Sequence, residues 1–292
     1  MKLVIGANGR VGSRLVKELV AMGEPVRAFV RDKAKAQAGL DAQGAIAVGE
    51  LGDVDSLLAA MTDVDGLFLC SPVHPDQVAL QNQVIDIAVQ SGRPRVVKLS
   101  GLATYLDSFV NSGKWHAQTE AHLAASGLPY TCLHPYFFMQ NLAFQLPRIR
   151  STGKLFSAVT EAPIAMVDAD DIAAVTAKLL CDASLHLGET LPLTTDRAYS
   201  YEEIAERMSQ AFELPIVFTP QTQAEVAENL RKAGQPDWHV EILLQFNQAF
   251  NQGLGATPHP AVAEILSRPA RTLEQFLKAV EQETEGQNPF PS

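Results

Sequence analysis

The sequence predicts an α/β protein built on a doubly wound parallel sheet, with a smaller, mostly helical C-terminal lobe. Two observations predict this fold. Over residues 1–100, short apolar runs alternate with amphipathic segments of helical length, and the apolar runs show little alternation between polar and apolar residues. Apolar strands separated by helices are typical of a parallel sheet covered on both faces. With 292 residues, the chain has room for one large domain, or for one domain and a lobe.

The elements of the first half follow in order. The predicted strands are residues 3–5, 26–30, 45–48, 67–70, 95–99 and 130–133. The predicted helices are residues 10–22, 33–40, 53–61, 76–91 and 114–126. The first helix is expected to bury one stripe of its surface, formed by Val11, Leu15, Leu19 and Met22. Asp53 and Asp76 are expected N-caps, and Gly92 is expected to end the fourth helix.

The pattern changes after the sixth strand. Residues 136–165 are rich in aromatic residues and are predicted to be irregular. A helix at 170–181 and a strand at 189–193 follow, and residues 198–292 are predicted to be mostly helical with proline breaks. We therefore expect a nucleotide-binding domain over residues 1–197, with 136–165 contributing to its cleft, and a smaller substrate-side lobe over residues 198–292.

Composition and charge exclude several classes of protein. The net charge of −10 leaves no global basic surface for direct nucleic-acid binding. No run approaches the ~20 consecutive apolar residues that span a membrane. The apolar run at the N-terminus is too short for a signal peptide. Cys70, Cys132 and Cys181 have no C-x-x-C spacing and are expected to be reduced core residues of a cytoplasmic protein.

Three glycines follow the first strand at a spacing of three, immediately before the first helix. We expect Gly6 to make a sharp turn, Gly9 to let the backbone approach a pyrophosphate, and Gly12 to allow close helix packing. The helix N-terminus then offers its N–H groups to the anion. A glycine-rich turn without a ligand is the alternative. The predicted phosphate-binding turn comprises Gly6, Asn8, Gly9, Arg10, Val11 and Gly12.

The residue after the second strand predicts which dinucleotide is bound. Arg31 stands there, and an arginine at this position favours the 2′-phosphate of NADP(H) over the ribose hydroxyls of NAD(H). Arg10 and Lys35 are possible helpers. Residues 1–35 carry eight Lys or Arg against three Asp or Glu, which favours a phosphate-rich ligand despite the acidic whole. A solvated surface arginine is the alternative for Arg31.

Three further strand ends are expected to border the cofactor, because ligands of open α/β sheets bind at the carboxyl ends of the strands. A carboxylate after the third strand can meet the adenine amine, and a lysine at the end of the fifth can reach the ribose. For that lysine, a strand-edge position with a solvated head is the alternative. The residues are Glu50, Leu51, Ser71, Pro72, Lys98 and Ser100.

With these residues the chain resembles the NmrA-like family of atypical short-chain dehydrogenase/reductases. This family includes NADPH:quinone and triphenylmethane-dye reductases, isoflavone-type reductases and NADP-sensing regulators. The resemblance implies a Rossmann domain, a small helical lobe and a substrate cleft between them. The matching stretches cover most of residues 1–200 in the family's order and are 6–12, 30–32, 96–100, 115–116, 126–131, 134–141 and 167–173.

The candidate catalytic residues are chosen in view of a missing catalytic motif. None of the five tyrosines has a lysine four residues later, so the Tyr-x-x-x-Lys dyad of ordinary alcohol oxidation is missing. A quinone is already electrophilic and needs mainly positioning over the nicotinamide. Isoflavone-type reductases place a lysine where this chain has His116, which can donate a proton. Lys98 and Tyr136 complete the candidate set. For His116, a helix-terminal histidine that holds a loop is the alternative.

An aromatic stretch after the sixth strand is expected to line an apolar pocket for a flat ring system, with two amides that orient a carbonyl. Simple core packing is the alternative for each residue. The substrate-pocket residues are Phe137, Phe138, Gln140 and Asn141. No metal site is expected, because His116 and Glu120 share a helix face without a third ligand.

The sequence thus predicts an NADPH-dependent reductase acting on a quinone or a similar planar acceptor. The alternative is a non-catalytic NADP(H) sensor that binds a protein partner, since the family contains both. A sugar-epimerase relative is disfavoured by the missing dyad. A homodimer is left open.

Overall fold

The computed structural model describes residues 1–33, 45–182 and 184–285. Among them, seven strands form one sheet in the order β10-β6-β5-β4-β1-β2-β3, and every pairing in it is parallel. Its strands are β1 (Lys2–Ile5), β2 (Val26–Val30), β3 (Ala45–Val48), β4 (Gly66–Leu69), β5 (Arg95–Leu99), β6 (Tyr130–Pro135) and β10 (Glu189–Leu193). The remaining strands are β7 (Phe137–Phe138), β8 (Lys154–Ser157), β9 (Ile164–Val167), β11 (Ala198–Tyr199) and β12 (Val217–Pro220).

The described helices connect these strands in chain order. They are α1 (Arg10–Ala21), α2 (Val54–Ala60), α3 (Gln77–Gln90), α4 (Asn111–Ala125), α5 (Gln140–Ala143), α6 (Leu146–Thr152), α7 (Ala169–Cys181), α8 (Tyr201–Ala211), α9 (Gln223–Lys232), α10 (Asp237–Asn251), α11 (Ala261–Leu266) and α12 (Leu273–Glu285). The sequence-predicted helix 33–40 extends beyond the described residues.

Helices cover both faces of the main sheet, as the sequence predicted. One core cluster joins Leu3 and Ile5 of β1 to side chains of α2, α3 and α4, such as Leu57, Ile85 and Leu123. Successive strand residues point to opposite faces. The residues between those in the cluster, such as the fully buried Val4, therefore face the other side, where α1 packs against α7.

Most predicted helix ends are confirmed, and two details are wrong. Asp53 caps α2 by accepting a hydrogen bond from the Asp55 amide at 3.1 Å, and Gly92 adopts a left-handed φ of +91° after α3. Asp76 makes no capping bond with its side chain, because its backbone is not in the extended conformation of an N-cap. Met22 is 51% exposed, since α1 ends one residue before it.

The chain divides into two compact units. The first comprises Met1–Pro135, Ala169–Leu193 and Glu264–Ser267, and so contains the main sheet. The last of these segments is attached to α7, where Lys178 Nζ donates to the Ile265 carbonyl at 2.5 Å. Cys132 of this unit is buried, but Cys70 and Cys181 are only partly buried, so the expectation of three core cysteines is only partly met.

The second unit comprises Tyr136–Asp168, Thr194–Ala263 and the described part of Arg268–Ser292. Its strands form the sheets β11-β9-β7 and β12-β8. Residues 136–165 are not irregular as expected: they form short strands and helices of two to seven residues, too short to show a period in the sequence. The structure groups residues 136–168 with this unit, whereas the sequence analysis grouped 136–165 with residues 1–197. No described helix has the length and apolarity that crossing a bilayer requires.

Candidate functional site

The glycine turn after β1 has no room for side chains. Gly6 has a φ of +77°, which glycine adopts without strain. Its carbonyl accepts a hydrogen bond from the Gly9 amide at 2.8 Å, which closes the turn. A Cβ at Gly12 would overlap the Gly6 carbonyl oxygen and lie 2.9 Å from the Ala7 Cα. The start of α1 therefore lies directly against the turn, and only glycine fits at position 12.

Backbone amides are available at the start of α1. The N-cap is Gly9, which has no side chain to offer a capping bond, and the hydrogen bond from Ser13 N to Gly9 O is 3.0 Å long. The amides of residues 10–12 consequently have no side-chain cap, as at helix N-termini that bind phosphate. Asn8 and Arg10 are exposed beside them, whereas the Val11 side chain is buried and only its backbone is available to a ligand.

The neighbouring strand ends lie on the same edge of the sheet. Since β1 pairs with both β2 and β4, the glycine turn, Arg31 and Ser71 follow three adjacent parallel strands. Arg31 is exposed immediately after β2. Burial, followed by repulsion from the guanidinium of Arg14, lowers the pKa of Arg10. Lys35 lies outside the described residues.

The remaining predicted cofactor residues are held by the fold to different extents. Glu50 and Pro72 are exposed. Leu51 packs against the core cluster, and its carbonyl accepts from Gln83 Nε2 at 3.0 Å. The Ser71 hydroxyl accepts from the fully buried Gln81 at 2.8 Å. Among these four residues, Ser71 therefore has the side chain whose orientation is fixed by a hydrogen bond from a buried partner.

Lys98 is fully buried at the carboxyl end of β5, so the alternative of a strand-edge lysine with a solvated head is wrong. Its ammonium donates to Ser100 Oγ at 2.7 Å and to His116 Nδ1 at 3.0 Å. Burial lowers the pKa of Lys98 to about 8, although the charge of Glu120 opposes this shift. A lysine with such a pKa can both hold and release a proton near neutral pH.

His116 is a neutral imidazole with a defined tautomer. Nδ1 faces two donors, Lys98 Nζ and Gln77 Nε2, each at 3.0 Å, and must therefore be the unprotonated nitrogen. Nε2 then carries the hydrogen. Burial, followed by the charges of Lys98 and His134, lowers the pKa of His116 well below its ordinary value. The helix begins at Asn111, so His116 lies in its second turn rather than at its start, and its partners come from β5 and α3 rather than from a loop.

Glu120 lies one turn further along α4 and joins the same cluster. Its Oε1 accepts from the Ser100 hydroxyl, and His134 Nε2 lies 2.8 Å from the same oxygen. Burial alone raises the pKa of Glu120, but the hydrogen bond and charge of His134, with the charge of Lys98, hold it below its ordinary value. Sequence reasoning considered Glu120 only as a metal ligand with His116, and these two side chains turn to different partners.

Gln77 and His134 were missed by the sequence analysis as members of this cluster. A signal for His134 was present, because β5 and β6 are adjacent parallel strands with Leu99 opposite Leu133. Ser100 and His134 therefore leave neighbouring strands at the same level. Gln77 carried no such signal, because its approach depends on where α3 crosses the sheet.

The aromatic stretch lies in the second unit. Tyr136, Phe137 and Phe138 are half-buried, and Phe137 meets Phe250 edge-to-face with ring centroids 5.9 Å apart. Met139 is fully buried and serves the core. These exposures leave part of each ring available to a ligand.

The two amides after this stretch follow β7 closely, as the first residues of α5. The Gln140 Nε2 donates to Asp168 Oδ1 at 2.8 Å, and Asp168 is fully buried and paired with Arg271 at 2.9 Å. Gln140 is thus engaged in holding Asp168, and both Gln140 and Asn141 are half-buried. Within the described chain, no group of three His, Cys, Asp or Glu residues is arranged to hold a metal ion.

A doubly wound parallel sheet with a glycine turn before its first helix defines a Rossmann-like α/β protein. The chain belongs to the NmrA-like family, whose model matches residues 2–277. It is 32% identical over 280 residues to an NAD(P)H azoreductase of Xenophilus azovorans, covering 96% of this chain and 97% of that protein.

Two further comparisons extend over nearly the whole chain. A (4-alkanoyl-5-oxo-2,5-dihydrofuran-3-yl)methyl phosphate reductase of Streptomyces griseus is 30% identical over 284 residues, covering 94% of this chain and 96% of its own. The crystal structure of an NADPH-dependent quinone oxidoreductase of Escherichia coli in complex with NADPH has a TM-score of 0.86. It shares 24% identity and covers 96% of this chain and 100% of its own, which supports the fold.

Proposed function

We propose that this protein is an NADPH-dependent reductase that transfers hydride to a quinone or to a similar planar, electron-poor acceptor. The observation that carries the proposal is the glycine turn, in which a Cβ at Gly12 would overlap the Gly6 carbonyl. Such a turn, followed by uncapped helix amides, fits the pyrophosphate of a dinucleotide. The names of the relatives, which are reductases of azo compounds, furanones and quinones, support the same class of reaction.

The preference for NADPH is assigned to Arg31. It is exposed directly after β2, the strand next to the glycine turn. In dinucleotide-binding domains this position meets the adenosine ribose, and an arginine there can bind a 2′-phosphate with two hydrogen bonds. Arg10, exposed at the start of α1, adds positive charge to the same edge.

The chemistry divides between cofactor and protein. When bound, NADPH supplies a hydride. The protein orients the acceptor and supplies one proton, for which His116 is the candidate because its Nε2 carries the hydrogen. Lys98 holds the opposite ring nitrogen at 3.0 Å and fixes that tautomer. Tyr136 and the half-buried rings of Phe137 and Phe138 are the candidate apolar surface for a flat acceptor, and Asn141 is the candidate amide that orients its carbonyl.

The acceptor class follows from the missing Tyr-x-x-x-Lys dyad. That dyad is the group with which classical short-chain dehydrogenases remove a proton from an alcohol, so its absence disfavours alcohol oxidation. Conjugated acceptors such as quinones, azo compounds and furanones take hydride at an electrophilic centre, so one positioned proton donor suffices. The same missing dyad favours the second candidate function, a non-catalytic NADP(H) sensor that binds a protein partner.

A binding and turnover experiment tests this proposal against its rival. The protein is titrated with NADPH and NADH, and NADPH consumption is then followed with a panel of benzoquinones, naphthoquinones, azo dyes and triphenylmethane dyes. We expect tighter binding of NADPH and turnover with at least one acceptor class. Tight NADPH binding without turnover of any acceptor would favour the sensor, and failure to bind either dinucleotide would contradict both.

A further inference from the structure

A continuous chain of hydrogen bonds leads from a half-buried histidine to the candidate proton donor. His134 Nε2 lies 2.8 Å from Glu120 Oε1, which accepts from the Ser100 hydroxyl. Ser100 Oγ in turn accepts from Lys98 Nζ at 2.7 Å, and Lys98 Nζ donates to His116 Nδ1 at 3.0 Å. We call these five residues the buried chain.

The two ends of the buried chain differ in their access to water. The side chains of His134 and Glu120 are 15% and 17% exposed. Lys98 is fully buried, and Ser100 and His116 are 8% exposed each. Water can therefore deliver a proton at His134 but not directly at Lys98.

A lysine in the middle of this chain needs an explanation other than stability. Strands of a parallel sheet that are covered on both faces are normally apolar, and an ion pair buried there is often no more stable than apolar residues of the same size. The cluster nevertheless orients every member through a hydrogen bond. Such an arrangement can carry protons, because each member both gives and receives a hydrogen bond or can change its protonation state.

We propose that Glu120, together with Ser100 and His134, keeps Lys98 protonated, and that Lys98 passes its proton through His116 to the reduced acceptor. The inference rests on the proposed function, because the hydride supplied there creates the need for a proton. Glu120 is accordingly a positioning residue for catalysis, acting through Lys98 and His116.

The proton balance closes over one turnover. The acceptor, having gained a hydride, takes the proton from His116 Nε2 as His116 Nδ1 takes one from Lys98, which leaves a neutral amine and the Nδ1–H tautomer of the imidazole. Once the product has left, His116 Nε2 takes a proton from water and Nδ1 returns its proton to Lys98. This restores both the Lys98 ammonium and the Nε2–H tautomer. The net result is one proton moved from water to the product.

The charges around Lys98 suit this role. The titratable groups that face it are His116 and Glu120 on α4, Cys70 after β4, and Cys132 on β6. Burial raises the pKa of Cys70 to about 11 and also raises the pKa of Cys132. Both thiols are therefore neutral at physiological pH and do not compete for the proton. Reduced quinones, like phenols with a pKa of ~10, are stronger bases than the Lys98 amine, so transfer to the product is downhill.

The first test uses Glu120→Gln and Ser100→Ala, which interrupt the buried chain on the solvent side of Lys98. The matched control is Asp86→Asn, which removes a carboxylate that pairs with His122 of the same helix at 2.7 Å outside the buried chain. A positioned proton donor contributes roughly 10²- to 10⁴-fold. Each variant weakens the support of the donor without removing it, so kcat is expected to fall about 10- to 100-fold, while KM changes less than about twofold. In Glu120→Gln the alkaline limb of the kcat–pH profile should move to lower pH, because the carboxylate no longer stabilises the Lys98 ammonium.

The second test does not depend on turnover. NMR titration of the protein labelled with 13C at lysine Cε should show one lysine with a pKa of about 8, assigned by its absence in Lys98→Met. This pKa should fall in Glu120→Gln and stay unchanged in Asp86→Asn. The proposal would be overturned if the pKa of Lys98 were the same in Glu120→Gln as in the wild type. Wild-type kcat in both Glu120→Gln and Ser100→Ala would overturn it as well. A wild-type protein without any turnover overturns the proposed function instead, and the titration then still decides whether Glu120 sets the charge of Lys98.

Discussion

The Lys98 ammonium lies 3.0 Å from Nδ1 of His116, inside a parallel sheet edge from which water is largely excluded. Neither residue can act alone as a proton donor. His116 is neutral and has no proton to lose without replacement, and Lys98 has no exposed surface through which to reach an acceptor. Together they form a neutral N–H donor on His116 with a charged proton source, Lys98, behind it.

Gly12 is expected to be essential for the turn. In Gly12→Ala, the new Cβ overlaps the Gly6 carbonyl, so the turn or α1 must move. We expect a loss of ~1–3 kcal/mol in the free energy of unfolding, together with weakened NADPH binding. Urea denaturation and NADPH titration measure both. The control is Gly52→Ala, whose Cβ would lie 3.8 Å from the nearest atom, Leu80 Cδ2. Equal effects of the two substitutions would contradict the role of the turn.

Arg31 is expected to determine the choice of cofactor. Losing a charge-assisted hydrogen bond to a phosphate costs ~1.5–3 kcal/mol, so Arg31→Ala should weaken NADPH binding about 10- to 100-fold. NADH binding, which lacks that phosphate, should change much less. Titration with both dinucleotides measures the ratio, and Lys17→Ala, which removes an exposed charge further along α1, serves as the control. Unchanged NADPH affinity in Arg31→Ala would refute the assignment.

The lowered pKa of Lys98 predicts a pH dependence of stability. The pKa is about 8 in the folded protein against 10.5 in the unfolded chain, so between these values the unfolded chain binds more protons. Stability should therefore rise with pH in this window, by up to ~1.4 kcal/mol per pH unit. The gain should be complete above a pH of about 10.5 and absent below about 8.

Urea denaturation across this window measures the effect. The difference in free energy of unfolding between wild type and Lys98→Met should grow with pH, because methionine does not titrate. Lys17→Met, which removes an exposed lysine, should show no such difference. A constant difference for Lys98→Met would mean that Lys98 keeps an ordinary pKa.

The pair of Asp168 and Arg271 is expected to stabilise the second unit. Asp168 is fully buried, and Arg271 lies 2.9 Å from its Oδ2. Arg271→Met would leave a buried carboxylate without its cation, which costs ~3 kcal/mol. Arg231→Met, which breaks the exposed pair with Asp237, should cost less than about 1 kcal/mol. Thermal or urea denaturation measures the loss in the free energy of unfolding for each variant. Equal losses in Arg271→Met and Arg231→Met would contradict the prediction.

Much of the first unit could be predicted from the sequence, because its information is local. The first and last residues of β2, β3 and β5 were predicted correctly, because short apolar runs between helical segments indicate buried strands. The glycine spacing likewise predicted the turn after β1, because the atoms that exclude a side chain at Gly12 belong to Gly6 and Ala7, which are close to it in sequence. The short elements of residues 136–165 have no periodicity of their own and depend on packing partners distant in sequence.

The buried chain illustrates the limit of sequence reasoning. Lys98 and His116 were each selected from their positions, but their contact depends on where α4 begins, and the prediction started that helix three residues late. A lysine within the apolar run 96–99 was itself a signal of a buried charge, because such strands are covered on both faces. The involvement of Gln77 required the three-dimensional path of α3.

An anaerobic single-turnover measurement tests the central claim most directly. The protein, saturated with NADPH, is mixed with a naphthoquinone, and the oxidation of NADPH and the formation of hydroquinone are followed together. We predict that each NADPH consumed yields one hydroquinone. The reaction should be faster with NADPH than with NADH, and at the same NADPH concentration it should be slower in Gly12→Ala, because that variant binds NADPH more weakly. Retention of bound NADPH without any hydroquinone, across the whole acceptor panel, would contradict the assignment as a reductase.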